Sequence, residues 1–220
     1  MQGAMLPSRA VAATITPDIG GYVMLLIGML DSPFVRRVAV SLKVLGLPFE
    51  HQSVSVFRHF DQFAALNPVV KAPTLIADDG TVLMESTLIL QHIARVSGRD
   101  LMLTDNTRAL RQIGLALAAC EKTVAIVYER NLRPSEKQHE PWVDRVRRQL
   151  LTAYGALERE VAPDWFTGGA IQQPDITTAV AWRFTQHVMS DLVPVADFPK
   201  LAALSARAEQ LQPFRETDYD

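Results

Sequence analysis

The apolar rhythm of the chain changes near residue 100, and that change constrains the fold more than any other feature of the sequence. Ahead of it, short apolar runs alternate with turn residues. Met24 to Leu30 is one such run, too short for an independent helix and suited to a buried strand. Val35, Val38, Ala39, Leu42 and Leu45 then recur at steps of three and four, with Arg36 and Lys43 opposite. That spacing predicts an amphipathic helix starting at Pro33 or Phe34 and stopped by Gly46 and Pro48. Phe49 to Phe57 alternates in part and reads as a second strand, parallel to the first across the helix. Asn67-Pro68 and Ala72-Pro73 bracket a turn. Thr74 to Ala77, Asp78-Asp79-Gly80 and Thr81 to Met84 then give strand, tight turn, strand. Ser86, a favoured N-cap type, precedes Leu88, Ile89, Ile93 and Val96 at helical spacing, and this helix closes near Gly98.

Beyond the mixed segment Gly98 to Asn106, strand signals all but vanish. Ile113, Leu117, Cys120, Val124 and Val127 form one helical stripe; Val143, Val146, Leu150, Tyr154, Leu157 and Val161 form another. Asp175 to Met189 and Pro199 to Leu211 supply two more helices. The expected fold class is an α/β thioredoxin-like N-terminal domain, whose order βαβ, ββα has an element count that other small α+β folds share, followed by an all-α C-terminal helical bundle domain. The expected boundaries are 24–98 and 107–213, with a linker at 99–106 and a tail at 214–220. Residues 1–23 have no sustained apolar period and read as a disordered arm or a misassigned start, without a secretory leader.

Several function classes are excluded on chemistry. Twenty-two basic and 24 acidic residues give a formal charge of −2, which supplies no broad positive field for nucleic acid. No apolar stretch approaches the roughly 20 residues that span a bilayer, so no membrane partner is expected. The one cysteine, Cys120, can form neither an internal disulfide nor a CxxC pair, which fits a reducing cytoplasm. His51, His59, His92, His139 and His187 show no ligand spacing, and no metal is expected. The GxSxG elbow, the phosphate loop and the dinucleotide fingerprint are all missing.

Four local patterns, in order, are similar to those of the glutathione transferase superfamily, in particular a bacterial member with a serine-type active-site turn. They are Ser32-Pro33-Phe34-Val35-Arg36 at the first strand-to-helix turn, Asn67 to Leu75 with its Ala72-Pro73 step, Glu85-Ser86 before Thr87-Leu88-Ile89-Leu90, and Pro174-Asp175-Ile176 with Ala179. The resemblance covers about residues 24 to 212. Two departures stand out. Ala72 replaces the valine common before the proline, and Gln172 replaces the Ser or Thr usual three residues before Asp175.

The resemblance implies that glutathione lies extended across the first half, with the Ser32 hydroxyl aimed at its sulfur. A thiol of pKa near 8.5 is only about 3% ionised at neutral pH, and the thiolate is the nucleophile. Lowering that pKa by two units takes about 2.7 kcal/mol, the size of one charge-assisted hydrogen bond plus a helix N-terminus. Read without the resemblance, Ser32 is simply an N-cap ahead of Pro33. The resemblance further implies a cis Ala72-Pro73 bond whose open main chain pairs with the cysteinyl residue. It also places the γ-glutamyl head on Glu85 and Ser86, the former accepting from the ammonium and the latter donating to the carboxylate. Arg58, His59 and Lys71 are candidates for the glycyl carboxylate, and Phe34 for one wall of the site for a small apolar electrophile. Arg108, Arg111 and Tyr128 are candidates to face the cleft, against a favoured reading of surface arginines and a core Tyr128, and Trp142, Trp165 and Trp182 are read as core or interface aromatics.

The resulting expectation is a cytoplasmic, homodimeric detoxification transferase with peroxidase side activity. Glutathione is its only expected cofactor or cosubstrate. A non-catalytic module that binds glutathione, apolar ligands or a protein partner stays open, as does a glutathione-dependent isomerase. A cysteine-type thioltransferase is disfavoured, because Ser32 stands where such classes carry cysteine.

Overall fold

Met24, Leu26 and Ile27 alternate toward two apolar clusters, and this places the first strand at the centre of a sheet. The structure, a computed structural model, describes residues 23–219; the expected arm therefore lies outside the described residues except for Val23. Strand β1 (Met24–Ile27) pairs in parallel with β2 (Phe49–Gln52) and antiparallel with β3 (Thr74–Ile76), which pairs antiparallel with β4 (Val82–Met84). The strand order is β2-β1-β3-β4. One face is covered by α1 (Pro33–Leu45) and α3 (Ser86–Ser97), and the other by α2 (Phe60–Leu66) through Phe63.

The second half is helical: α4 (Thr107–Leu132), α5 (Glu140–Glu160), α6 (Gln173–Met189), α7 (Pro199–Ala208) and a single turn, α8 (Gln212–Arg215). Helix α6 is buried around most of its circumference, polar Gln173, Asp175, Thr177, Thr178 and Thr185 included, and runs through the bundle centre, where Trp182 packs with Tyr154 and Phe198. It also packs on α1, where Ser41 donates to the buried Gln173 side chain at 2.9 Å. The architecture is a thioredoxin-like mixed sheet joined to an all-α bundle, as the two rhythms of the sequence imply.

Several elements differ from the sequence expectation for local reasons. Strand β1 stops at Ile27 because Gly28 turns the chain at φ 137°. A side chain there would place its Cβ 2.7 Å from Val35 Cγ2, so glycine lets α1 sit close on the strand end. The second strand ends at Gln52. The Ser55 hydroxyl then accepts from the Phe57 and Arg58 N–H groups, folding the chain into a turn that leads to α2, a helix not anticipated from the pattern. Segment 99–106 is no free linker: Leu101 and Met102 are buried, and the Leu101 carbonyl accepts from Gln173 N–H at 2.8 Å. The tail packs back on α1, where the fully buried Arg36 forms a two-pronged pair with Glu209 at 2.7 and 2.6 Å and donates to the Thr217 and Phe214 carbonyls.

Candidate active site

Ser32 is the N-cap of α1, held by its backbone: its N–H donates to Met29 and its carbonyl accepts from Arg36. The hydroxyl, however, makes no capping bond. An N-cap serine usually spends its side chain on the helix N–H groups, so this one retains its donor for another partner. Pro33 at the first helical position has no N–H to satisfy, and the N–H groups that follow it give the turn a partial positive charge.

The second component is main chain. Pairing of β3 begins at Thr74, so Ala72, which precedes the cis Ala72-Pro73 bond, lies beyond the ladder. Asn67 fixes this corner by donating to Thr74 Oγ1 at 2.8 Å, and that hydroxyl donates to the Lys71 carbonyl. The peptide groups at Ala72 are thereby left as a short open edge, a form suited to an extended peptide. The Ala72 side chain plays no part in such pairing, so its difference from valine is immaterial there.

The third component is the start of α3. Glu85, not Ser86, is its N-cap, in a backbone conformation (φ 72°, ψ 117°) that non-glycine residues rarely adopt. Its carboxylate accepts from Thr87 N–H at 3.1 Å and Leu88 N–H at 3.2 Å. Ser86 is the first helical residue and is buried. Its hydroxyl accepts from Arg37 Nη1 at 3.0 Å and lies 3.4 Å from Glu85 Oε1.

These components line one cleft of about 1440 Å³ between the two halves. Ser32, Phe34, Arg58, Lys71, Ala72, Pro73, Glu85 and Ser86 all contribute to its wall. His59 does not; it is exposed at the start of α2, where its Nδ1 accepts from Ser55 N–H. Arg58 and Lys71 are both exposed, and neither forms an ion pair among the described residues, where the paired cations are Arg36, Lys43, Arg108, Arg111, Arg130, Arg133 and Arg183.

The other wall comes from the helical half: Leu117, Glu121, Val124, Val127 and Tyr128 of α4, and Phe184, His187 and Val188 of α6. For Tyr128 the favoured core reading is corrected, and the cleft-facing alternative holds. Its ring is 44% exposed and meets Phe57 edge-on at 5.6 Å across the cleft mouth. Partial burial lifts its phenol above the ordinary value, so it stays protonated at neutral pH. Val124 and Val127 carry a core-like helical period, which conceals a wall position in sequence; their place beside the exposed Phe57, Tyr128 and Val188 emerges only from the fold. Trp142 is exposed, Trp182 is core, and Arg111 pairs with Glu160 away from the cleft.

Comparison with known proteins agrees with this geometry. Residues 26–99 match the family model described as Glutathione S-transferase, N-terminal domain, and residues 140–207 match Glutathione S-transferase, C-terminal domain. The chain belongs to the glutathione transferase superfamily. It is a glutathione S-transferase-like transferase. Glutathione S-transferase U1 of Arabidopsis thaliana is 25% identical over 196 residues, covering 86% of each chain. Among solved structures, a glutathione S-transferase of Methylobacterium radiotolerans in complex with glutathione sulfonate superposes with a TM-score of 0.81 at 27% identity, over 88% of this chain and 93% of that one. A glutathione transferase family member of Pseudomonas fluorescens with bound S-(propanoic acid)-glutathione gives 0.76 at 27% identity, over 88% and 98%.

Proposed function

We propose that this chain binds glutathione along the cleft and activates its thiol at Ser32 for attack on a small apolar electrophile. One observation carries the reading: the uncommitted Ser32 hydroxyl, the open edge at Ala72 and the polar start of α3 line a single cleft, in the order that the cysteinyl and γ-glutamyl parts of the tripeptide require. Ser32 donates to the sulfur, and the N-terminus of α1 adds a favourable field. Ala72 holds the cysteinyl main chain. Glu85, held in place by the Thr87 and Leu88 N–H groups, accepts from the ammonium, and Ser86 at the positive end of α3 meets the carboxylate. Arg58 and Lys71 are the cations left for the glycyl end, and His59, turned into its own loop, is not assigned to it.

The second substrate lies between Phe34 and the α4 and α6 wall, whose lining is largely apolar. A thiolate there attacks an electrophilic carbon; with a peroxide it attacks oxygen instead and breaks the O–O bond, giving an alcohol and glutathione sulfenic acid that a second glutathione converts to the disulfide and water, which is the basis for peroxidase side activity. The same reading takes the protein as a cytoplasmic homodimer. The test is glutathione conjugation to an activated aryl halide. Ser32→Ala is expected to lower kcat about tenfold or more, the value of one charge-assisted hydrogen bond to the thiolate, with little change in glutathione affinity. Unchanged turnover would remove Ser32 from the mechanism. Glutathione binding without turnover on any of a panel of electrophiles would favour a binding module instead.

A further inference from the structure

Residues Phe214 to Tyr219 run between α1 and α6 and fasten to a cation on each. Arg36 of α1, whose N–H donates to the Ser32 carbonyl at 2.9 Å, donates through its guanidinium to the Phe214 and Thr217 carbonyls and lies 3.6 Å from the Asp218 carboxylate. Arg183 of α6 pairs with the same Asp218 oxygen at 3.0 Å. Tyr219 is set against both cations: its ring centroid is 5.3 Å from the Arg36 guanidinium carbon and 5.6 Å from that of Arg183, each within cation–π range. Burial pushes its phenol up to about 12, with the two guanidiniums pulling the other way, so the ring is neutral at ordinary pH. Its hydroxyl is buried without a partner among the described residues, so the ring and not the O–H does the holding.

Tyr219 also meets His187 edge-on at 5.6 Å, with the ring planes at 87°. His187 is one turn beyond Arg183 on α6, is exposed, and lines the cleft with Phe184 and Val188. The adjacent Gln186 donates to the Val193 carbonyl at 3.0 Å, whereas the His187 nitrogens have no hydrogen-bond partner among the described residues. An imidazole fixed through its ring and free at its nitrogens has an N–H to donate in either tautomer.

We infer that Tyr219 is a positioning residue for the second-substrate wall, holding His187 so that its N–H is presented to electrophiles that carry an acceptor oxygen. The inference rests on the conjugation reading and deepens it. Tyr219 does not line the cleft and touches no reacting atom; it acts through His187. Among the other polar side chains of the helical wall, Tyr128 stands at the mouth against Phe57, and Glu121 carries no N–H. His187 is the nitrogen donor there, and Tyr219 ties it to the helix that presents Ser32. The reaction it serves is addition to an α,β-unsaturated ketone. The glutathione sulfur bonds to the β-carbon, and the C=C electron pair moves onto the carbonyl oxygen as an enolate. The α-carbon then takes a proton from water, and the hydroxide left is neutralised by the proton that the thiol released. A donor already fixed at the wall stabilises that oxygen as its charge develops. A benzyl halide offers no such oxygen, and its charge departs on a weakly accepting halide.

The experiment is steady-state turnover of the full chain at saturating glutathione on two electrophiles, benzylideneacetone and benzyl chloride. His187→Phe and Tyr219→Ala are each expected to lower kcat/KM for the enone about tenfold, the size of one hydrogen bond to a charged oxygen, and to leave benzyl chloride within about twofold. Tyr219→Phe, which keeps the ring and loses only an unpartnered hydroxyl, retains enone turnover. The double variant of His187→Phe with Tyr219→Ala is expected to lose no more than His187→Phe alone, because the two act as one unit. Should Tyr219→Ala fail to fold, Tyr219→Leu, which keeps apolar bulk without the ring, carries the same comparison. A strap that merely braces α1 on α6 would lower both electrophiles by one common factor, and that result would overturn the inference while leaving the conjugation reading intact. Unchanged enone turnover in His187→Phe would do the same. If the unaltered protein turned over neither electrophile, the conjugation reading would fail first and the inference with it.

Discussion

Cys120 shows how far a single residue's chemistry follows from its position. The sequence places it on a helical stripe, and the structure buries it fully in α4. Burial pushes its thiol from 9.0 up to about 12. Between those values the unfolded thiol is ionised while the folded one keeps its proton, so this group's contribution to stability is complete below pH 9 and is lost as pH rises toward 12. Nucleophilicity follows the thiolate, so the native protein at pH 8 is expected to stay unlabelled by an aromatic disulfide reagent and to react stoichiometrically once denatured. Rapid native labelling would contradict this burial. At the same scale Ser32, Glu85 and Ser86 were legible because each sits beside a turn signal. Arg37 was not: it falls on the polar side of the α1 stripe, where Arg is ordinarily wetted, and its burial arises from α3, a segment about fifty residues away in sequence.

Among the elements, α1, α3 and the long helices of the second half were readable from period alone, while α2 was not. Its seven residues, Phe60–Leu66, bury only Phe63, too little periodicity to detect, and the strand ahead of it ends through a side-chain turn at Ser55. Helix α6 illustrates the reverse case. Asp175 was legible as an acid near a helix start, and its carboxylate accepts from Phe166 N–H at 2.7 Å and Gln172 N–H at 3.0 Å. Gln172 and Asp175 face each other as a capping box, in which the Asp175 half is a full hydrogen bond while the buried Gln172 side-chain oxygen makes none. Asp175→Ala leaves two N–H groups without acceptors and is expected to cost about 2–3 kcal/mol in urea unfolding. Gln172→Thr, whose hydroxyl can reach the third helical N–H, is expected to gain about 0.5–1 kcal/mol. Equal stability of Asp175→Ala and the unaltered protein would contradict the capping role.

For the whole molecule, the two halves are fastened through α1, the same helix that presents Ser32. Ser41 meets Gln173 of α6, and Arg36 holds the chain end through Glu209. This fastening was not legible, because the sequence marks 99–106 and 214–220 as polar breaks while the contacts that pin them are distant. Glu209→Ala removes the two-pronged partner of a buried guanidinium, leaving two carbonyls and the longer 3.6 Å pair to Asp218, and is expected to cost about 2–3 kcal/mol. Glu209→Gln should cost less, and a loss below about 0.5 kcal/mol for the alanine variant in urea unfolding would show the tail to be unimportant. The cleft between the halves is where the central claim lies, since a thiol bound there must ionise more readily than in water. Ultraviolet thiolate absorbance of bound glutathione, followed against pH, tests this directly. The expected midpoint is about two units below the free value near 8.5 and returns most of the way toward it in Ser32→Ala. A bound thiol that titrates as it does in water, with or without Ser32, would contradict the account.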